Sequence, residues 1–387
     1  MAVYILAGAR TGFGSFMGNL STIPATKLGA IAIEGALKKA NLPADRVQEV
    51  FMGNVISAGE GQAPARQAAL FAKLPESVPC TTVNKVCGSG LQTVILGARS
   101  IMTGENSVVI AGGMESMSLA PHLLMNSRTG AKFGPTEMKD SMQWDGLWDV
   151  YTDRAMGNCA EECVKKYNMT RVEQDEFAIE SFKRAQAAVK EGLFKKEIVP
   201  VTIPSKKGDV VIEEDEGPFK ANFEKMPGLK PAFEKTGTIT AANASTINDG
   251  ASAIILGGDE FAATAKFKIV SWASHAQNPT WFTTAPVEAI KKATQKAGLT
   301  TEQVDLWEIN EAFAAVTMAA MKELKLPHEK VNVLGGAVAI GHPIGASGNR
   351  ILITLMNAME HKNKKFGCAA ICIGGGEALA LIIEKVR

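Results

Sequence analysis

Two stretches of this chain, Val109-Ile-Ala-Gly-Gly-Met-Glu115 and Ile371-Cys-Ile-Gly-Gly-Gly-Glu377, are similar enough to be two copies of one segment. Further matches occur in the same order: residues 36–47 with residues 293–304, and Val83-Asn84 with Val331-Asn332. Matches that recur in order indicate a duplicated unit. The sequence therefore predicts two similar halves, and it places Cys372 where the first copy has Ile110.

The two copies differ after the shared glycines. In the second copy, Glu377 leads directly into the strand-like run 378–383, whereas the equivalent run, residues 251–256, lies far downstream of Glu115. We therefore expect an insertion into a hairpin. The predicted division is an N-terminal half of residues 1–119 plus 245–268, an inserted loop domain of residues 120–244 that covers the site, and a C-terminal half of residues 269–387.

Local patterns predict the class of fold. Each copy alternates strand-like runs with helix-period segments such as residues 28–40, which is typical of α/β proteins whose sheets are faced with helices. Within the insertion, Thr170 and Glu173 have the spacing of a capping box, so a helix is predicted to begin there and to end near Gly192. Ligand pockets concentrate where packed units meet, so residues of both halves can share one pocket.

Composition excludes several classes of function. The 387 residues exceed the usual size of one core, and 41 Lys plus Arg balance 40 Asp plus Glu, so no overall field favours nucleic acid or a membrane surface. Apolar runs are far shorter than the roughly 20 residues that span a bilayer. The first residues carry no targeting pattern, which predicts a cytoplasmic location with six reduced cysteines.

Cys87 is the candidate nucleophile. It comes after the strand-like run 81–86 and opens a helix predicted to extend to Met102, so its sulfur should lie at the positive end of that helix, where the pKa of a thiol is lowered. Gly88 and Gly90 remove side chains that would block a substrate. An isolated cysteine is more often a small buried hydrophobe, so its partners decide the interpretation.

His342 is the candidate base. It lies in the glycine-rich segment 335–348, which indicates a tightly defined bend. A neutral imidazole there could take a proton from Cys87 and then donate to a developing oxyanion. A phosphate loop is the alternative for this segment, but it has neither the lysine of a P-loop nor a GxGxxG pattern. The remaining histidines are assigned ordinary structural or surface roles: His122, His275, His328 and His361.

Cys372 and Asn310 complete the candidate set. Cys372 ends an apolar strand before three glycines and could move a proton to and from carbon, although burial is the default for a strand cysteine and is predicted for Cys368. Asn310 could cap the helix after it, could hold a water against a substrate carbonyl, or could do both. The pairs Cys159/Cys163 and Cys368/Cys372 lack the spacing and companion ligands of a strong zinc site, so no metal is predicted.

Taken together, the chain resembles the thiolase family, of the acetyl-CoA acetyltransferase and 3-ketoacyl-CoA thiolase group, along essentially its whole length. The resemblance implies a layered αβαβα fold of two duplicated halves with an inserted loop domain, assembled as a homotetramer of two tight dimers. The segments that carry it are Ala9-Arg-Thr11, Asn84-Lys-Val-Cys-Gly-Ser-Gly90, Gly237–Ser245, Asn310-Glu-Ala-Phe-Ala314, Gly341-His-Pro343 and Cys372-Ile-Gly-Gly-Gly376.

The resemblance also implies a mechanism. Cys87 is acylated in a ping-pong reaction and His342 activates it, while Cys372 deprotonates the acetyl methyl group in Claisen condensation or protonates the carbanion in thiolysis. One oxyanion hole combines His342 with a water held by Asn310, and the other uses the backbone N–H groups of Cys87 and Gly374. Coenzyme A and acyl-CoA are expected as substrates, with no permanently bound cofactor, and with fatty acid metabolism as the setting.

The family's pantetheine contacts correspond to Met156, Phe233, Ala244, Ser245, Ala312 and Phe313. The chain departs from the family pattern elsewhere. Ala155 replaces a histidine of the biosynthetic members, residues 282–286 replace a Met-Gly-x-Gly-Pro segment, and Pro218 stands near the place of an arginine that grips the nucleotide. Lys220 or Lys225 could supply the missing positive charge.

Two other interpretations are distinguishable. A ketoacyl synthase of the same fold would use a carrier-protein substrate and a cysteine with two histidines, but Asn310 stands where that group has a histidine and Cys372 is additional. A non-catalytic thiolase-fold subunit that binds acyl-CoA is the other alternative. Retention of every reactive group argues against it.

Overall fold

The computed structural model describes residues 1–130, 132–206 and 208–387, so Ala131 and Lys207 of the predicted insertion lie outside the described residues. The first part of the chain alternates strands and helices. Its elements are β1 (Val3–Thr11), β2 (Gly14–Ser15), α1 (Ala25–Ala40), β3 (Glu49–Gly53), α2 (Pro64–Phe71), β4 (Cys80–Val83), α3 (Ser89–Met102) and β5 (Val108–Ser116).

The middle of the chain has shorter strands and two long helices. Its elements are β6 (His122–Leu124), β7 (Met138–Asp140), β8 (Trp148–Asp149), β9 (Arg154–Ala155), α4 (Met156–Tyr167), α5 (Arg171–Lys190), β10 (Ile198–Val199), β11 (Val201–Ile203) and β12 (Val210–Ile212). The rest comprises β13 (Asn248–Gly257), β14 (Phe267–Ala276), α6 (Ala285–Ala297), β15 (Leu306–Ile309), α7 (Ala314–Leu324), α8 (Ala337–Ile340), α9 (Ile344–His361), β16 (Phe366–Ile373) and β17 (Glu377–Lys385).

The order of strands is the same in both halves. It is β1-β13-β5-β3-β4 in the first half and β14-β17-β16-β15 in the second. Strand β3 pairs in parallel with β4 and β5, and β15 pairs in parallel with β16. Val331 forms a parallel bridge with Trp307 of β15, in the position that β4 occupies in the first half. This common topology confirms the predicted duplication.

Strand β1 pairs antiparallel with β14, so the strands of both halves form one 11-stranded sheet, and helices pack in three layers around its two halves. Helix α1 packs on β1, β13 and β5, whereas α6 packs on β14, β17 and β16. Helices α3 and α9 contact each other between the two halves of the sheet, and α9 is buried from Ile344 to Met359. The arrangement is the predicted αβαβα layering. It places the start of α3 and the start of α9, from opposite halves, in the same central layer.

The two hairpins predicted from the repeated glycine segments are present. Strand β5 pairs antiparallel with β13, with Met114 opposite Ala251, and β16 pairs antiparallel with β17, with Ile371 opposite Leu379. The first pair forms although the whole middle of the chain separates its strands. The boundaries of the three predicted domains stay a prediction.

Helix α5 begins as its sequence predicts. The Thr170 hydroxyl accepts the N–H of Glu173, and the Glu173 carboxylate accepts the N–H of Thr170, which is the reciprocal capping box. The helix ends at Lys190, and Gly192 adopts a left-handed conformation with φ of 70°. Within the described residues, no helix combines the length and the apolar character that crossing a membrane requires.

Candidate active site

Cys87 lies in a strained turn between β4 and α3. Val86 has φ of +46°, in the left-handed region that β-branched residues rarely adopt. The turn is held by local hydrogen bonds, since the Val86 N–H donates to Asn84 Oδ1 at 3.0 Å and Ser89 Oγ donates to the Val86 carbonyl at 2.7 Å. Strain of this kind persists where the surroundings over-determine a conformation, as at active sites.

The turn touches the opposite half at Gly88. A Cβ atom on Gly88 would lie 2.4 Å from Cδ1 and 2.9 Å from Cγ1 of Ile373, so a larger residue here would force the Ile373 side chain to move. The Gly374 and Cys87 N–H groups act on the Cys87 thiol as hydrogen-bond donors, and the charge of ionised Cys87 contributes to the raised pKa of Cys372. Cys87 and Gly374, two residues beyond Cys372, line one cavity, so the segments that carry the two cysteines, from opposite copies of the duplication, are neighbours.

The pKa of Cys87 differs from the sequence expectation. Burial raises the pKa of the Cys87 thiol to about 11, although the N–H groups of Gly374 and of Cys87 itself act in the opposite direction. The prediction that the helix start lowers this pKa is therefore wrong. Helix α3 begins only at Ser89, and removal of solvent by the packed halves outweighs the helix dipole.

Hydrogen bonds determine which ring nitrogen of His342 carries the proton. His342 Nδ1 lies 2.5 Å from Ser347 Oγ, and the Ser347 hydroxyl donates to the carbonyl of Pro343 at 2.8 Å. Because serine has a single O–H donor, its oxygen must accept the Nδ1–H of His342. Nε2 is then unprotonated, and no described residue hydrogen-bonds it. A buried nitrogen with a free lone pair can act as a base.

The His342 ring is also held neutral. Burial, together with the positive charge of Arg350, lowers the pKa of His342 to about 3. The backbone N–H of His342 donates to Asn248 Oδ1 at 3.0 Å, which fixes the turn between α8 and α9. At neutral pH the side chain is therefore an oriented, uncharged imidazole.

Asn310 lies behind the cavity wall and does not cap a helix. Helix α7 begins at Ala314 with Phe313 as its N-cap, so the capping role considered for Asn310 is wrong. The Asn310 N–H donates to the Ala370 carbonyl of β16 at 2.9 Å. Its Nδ2 is buried and finds no hydrogen-bond partner among the described residues, as a site for an ordered water requires.

A cavity of about 570 Å³ opens above these groups. Nine of the eleven predicted site residues line it: Cys87, Met156, Phe233, Ala244, Ser245, Ala312, Phe313, His342 and Gly374. Cys372 and Asn310 do not line the cavity. Cys372 is 1% exposed and belongs to the same apolar cluster as Ala312 and Phe313, so it lies directly behind the wall.

Only one of the two lysines considered as partners for a phosphate lines the cavity. Lys220 lines the cavity, and its Nζ donates to Ser15 Oγ at 3.0 Å and to Glu216 Oε1 at 2.5 Å. Lys225 is exposed and does not line the cavity. Ala155 contributes to the cavity wall. Pro218 instead accepts a hydrogen bond from Gln186 through its carbonyl.

Several residues of the site escaped the sequence analysis. Ser347 and Asn248 orient His342, and Arg350 perturbs its pKa. Ser347 had a detectable signal, since it lies one helical turn beyond Pro343 in the same glycine-rich segment. Asn248 had none, because it reaches His342 only through the pairing of β13 in the other half. Among the described residues, no group of three or more His, Cys, Asp or Glu side chains is arranged to hold a metal ion.

Comparison with known proteins agrees with this geometry. Residues 3–260 match the thiolase N-terminal domain and residues 263–385 match the thiolase C-terminal domain. The chain belongs to the thiolase family. It is 51% identical to acetyl-CoA acetyltransferase 2 of Arabidopsis thaliana, over 99% of this chain and 96% of that protein. It is 50% identical to acetyl-CoA acetyltransferase of Yarrowia lipolytica, over 100% and 97% of the two chains.

A solved structure gives the same result. The chain superposes on the Acat5 thiolase of Ascaris suum, crystallised in complex with coenzyme A, with a TM-score of 0.94 at 45% sequence identity. The match covers 100% of both chains.

Proposed function

We propose that this protein is an acetyl-CoA C-acetyltransferase, which condenses two acetyl-CoA molecules to acetoacetyl-CoA and free CoA and also catalyses the reverse thiolysis. One observation carries the proposal. Cys87 and Cys372 come from opposite halves and are close enough for the charge of one to shift the pKa of the other. His342 lines the same cavity as Cys87, and the Nε2 of its neutral imidazole has no hydrogen-bond partner among the described residues.

The first half-reaction transfers an acetyl group to Cys87. His342 Nε2 takes the thiol proton while the sulfur attacks the thioester carbonyl of acetyl-CoA, so that one C–S bond forms and the bond to CoA breaks. The departing CoA sulfur receives the proton from His342. Burial and the charge of Arg350 lower the pKa of His342, which favours return of the proton from the imidazolium. We assign the oxyanion to the N–H groups of Cys87 and Gly374, which both act on the Cys87 thiol.

The second half-reaction forms the carbon–carbon bond. Cys372, as a thiolate, removes a methyl proton from a second acetyl-CoA, and the carbanion attacks the acetyl group on Cys87. The bond to Cys87 breaks, and the proton returns from Cys372 to the departing sulfur. A water held by Asn310 donates a hydrogen bond to the enolate oxygen, and His342 Nε2 adds a second donor only when it carries a proton. An acetylated Cys87 can no longer ionise, so no negatively charged sulfur stands beside Cys372 when Cys372 must become a thiolate.

The cavity supplies the binding site for coenzyme A. We assign the pantetheine arm to the apolar wall formed by Met156, Phe233, Ala244, Ala312 and Phe313, together with Ser245. Phe233 and Phe313 meet edge to face with ring centroids 5.9 Å apart, which stiffens this wall. Lys220 is the cation that we assign to the nucleotide phosphates, since it lines the cavity.

The proposal extends to assembly and setting. We expect a homotetramer of two tight dimers, a cytoplasmic location and a role in fatty acid metabolism, all from the family resemblance. A ketoacyl synthase activity is not favoured, because Asn310 offers an amide where the second histidine would stand. A passive acyl-CoA-binding role is not favoured, because the turn of Cys87 is strained and His342 is oriented as a base.

Mass spectrometry of the intact and digested protein tests the function. Incubation with acetyl-CoA should leave one acetyl adduct on Cys87, and Cys80→Ser, which changes the other partly exposed cysteine, should acetylate normally. Cys372→Ala should still acetylate but should fail to exchange the methyl hydrogens of acetyl-CoA with deuterated solvent. An adduct at another residue refutes the role of Cys87, and unimpaired exchange refutes that of Cys372.

A further inference from the structure

An ion pair joins the two segments that carry the thiols. Lys85 lies two positions before Cys87, and Glu377 comes directly after the glycine loop that begins beyond Cys372. Lys85 Nζ contacts Glu377 Oε2, with 25% and 37% of the two side chains exposed. Neither side chain lines the cavity. The pair therefore spans the junction of the two halves without touching the place of the substrate.

Both joined segments need an external restraint. On one side, Val86 is held at φ of +46°, which a β-branched side chain disfavours. On the other side, Gly375 and Gly376 have φ of +89° and +85°, and glycine loses more conformational freedom on ordering than any other residue. A backbone hydrogen bond from Gln277 N–H to the Gly376 carbonyl, at 2.9 Å, is the neighbouring tether.

The two segments touch where the chemistry is proposed to occur. A Cβ atom on Gly374 would lie 3.5 Å from Cγ1 of Val86, so the Gly374 backbone lies beside the Val86 side chain there. The Gly374 N–H is one of the two donors to the Cys87 sulfur. A small sliding of one segment past the other changes this donor geometry, and oxyanion stabilisation depends steeply on such geometry.

The equivalent residue of the first copy has a different role. Glu115 is fully buried, and its carboxylate accepts four N–H groups, from Asn54, Val55, Ile56 and Gly345. Glu377 occupies the matching position at the end of the second glycine segment but reaches out to Lys85 instead. The duplication has thus produced a carboxylate that crosses between the halves.

We propose that Lys85 and Glu377 are positioning residues, which hold the Cys87 turn against the Gly374–Gly376 loop and so set the relation between the two thiols. The inference rests on the proposed function. Neither Lys85 nor Glu377 takes part in the reaction itself. Opposite charges at these two positions should matter more for activity than which residue carries which charge.

Charge exchange tests the inference. Wild-type protein is first shown to acetylate Cys87, since failure there would refute the proposed function and not this pair. Lys85→Met and Glu377→Gln should each slow single-turnover acetylation of Cys87 and methyl-hydrogen exchange by about tenfold, and the double variant Lys85→Glu with Glu377→Lys should recover to within about threefold of wild type. The KM for CoA should not change, because the cavity wall is untouched.

A matched control separates positioning from general stability. Arg46 and Glu260 form an ion pair at 3.2 Å in which both side chains are about half exposed, away from the cavity. Exchanging these two charges should leave acetylation unchanged. Single variants at Lys85 and Glu377 that acetylate at the wild-type rate, or an exchanged pair as slow as the single variants, would overturn the inference.

Discussion

Replacing Ser347 with alanine is expected to impair His342 as a base, although His342 itself is unchanged. In the wild type, Ser347 Oγ accepts the Nδ1–H of His342 at 2.5 Å because its own proton is committed to the Pro343 carbonyl. The Ser347→Ala variant leaves a buried Nδ1–H without a partner. The ring then favours the other tautomer, whose proton occupies Nε2 and blocks proton transfer from Cys87.

The size of the effect depends on the burial of both groups. His342 is 6% exposed and Ser347 is fully buried, so water does not readily replace the lost hydroxyl. An unsatisfied buried donor costs about 1–3 kcal/mol, and each 1.4 kcal/mol corresponds to about tenfold. Single-turnover acetylation of Cys87 should therefore slow by about 5- to 150-fold.

The assay is quenched-flow acetylation with acetyl-CoA, read by mass spectrometry of the Cys87 peptide. Ser252→Ala is the matched control, because Ser252 is equally buried and its hydroxyl donates to the Ala346 carbonyl of the same helix, at 2.8 Å, without contacting His342. Nitrogen-15 shifts of labelled histidine should report the Nδ1–H tautomer in the wild type. Equal acetylation rates in the two serine variants would refute the tautomer argument.

Two other predictions concern Cys87 and its turn. Burial raises the pKa of Cys87 to about 11 and lowers that of His342 to about 3. The rate of Cys87 alkylation by iodoacetamide should therefore rise about tenfold per pH unit from about pH 7 to 10. An alkylation rate already maximal at about pH 7 would contradict this. Gly88→Ala should lower the thermal midpoint and slow acetylation, since overpacking costs about 1–3 kcal/mol. Adding Ile373→Val, which removes Cδ1 at 2.4 Å but keeps Cγ1 at 2.9 Å, should restore both in part, while Gly228→Ala, with open space around it, should be neutral. A Gly88→Ala protein that behaves like Gly228→Ala would show that the close approach does not matter.

The features that were predictable from sequence are those set by local or repeated patterns. The capping box at Thr170 and the extent of α3 to Met102 depend on neighbours within a few residues. The duplication was readable because both copies retain the glycine segment at the end of β5 and β16. Family membership could be inferred from short motifs in a fixed order, which require no knowledge of distances.

The properties that the tertiary structure alone decided are those that sum over distant groups. The sequence suggested a lowered pKa for Cys87 from one nearby helix, but burial by both halves raises it. Asn310 was ambiguous between a cap and a water site until the start of α7 excluded the first. Lys220 and Lys225 were indistinguishable until only Lys220 was found at the cavity. Turns, caps and repeats depend on adjacent residues, so the sequence determined the fold and the reactive groups. Desolvation and side-chain contacts across the junction depend on every packed atom, so only the structure decided the protonation and the partners of those groups.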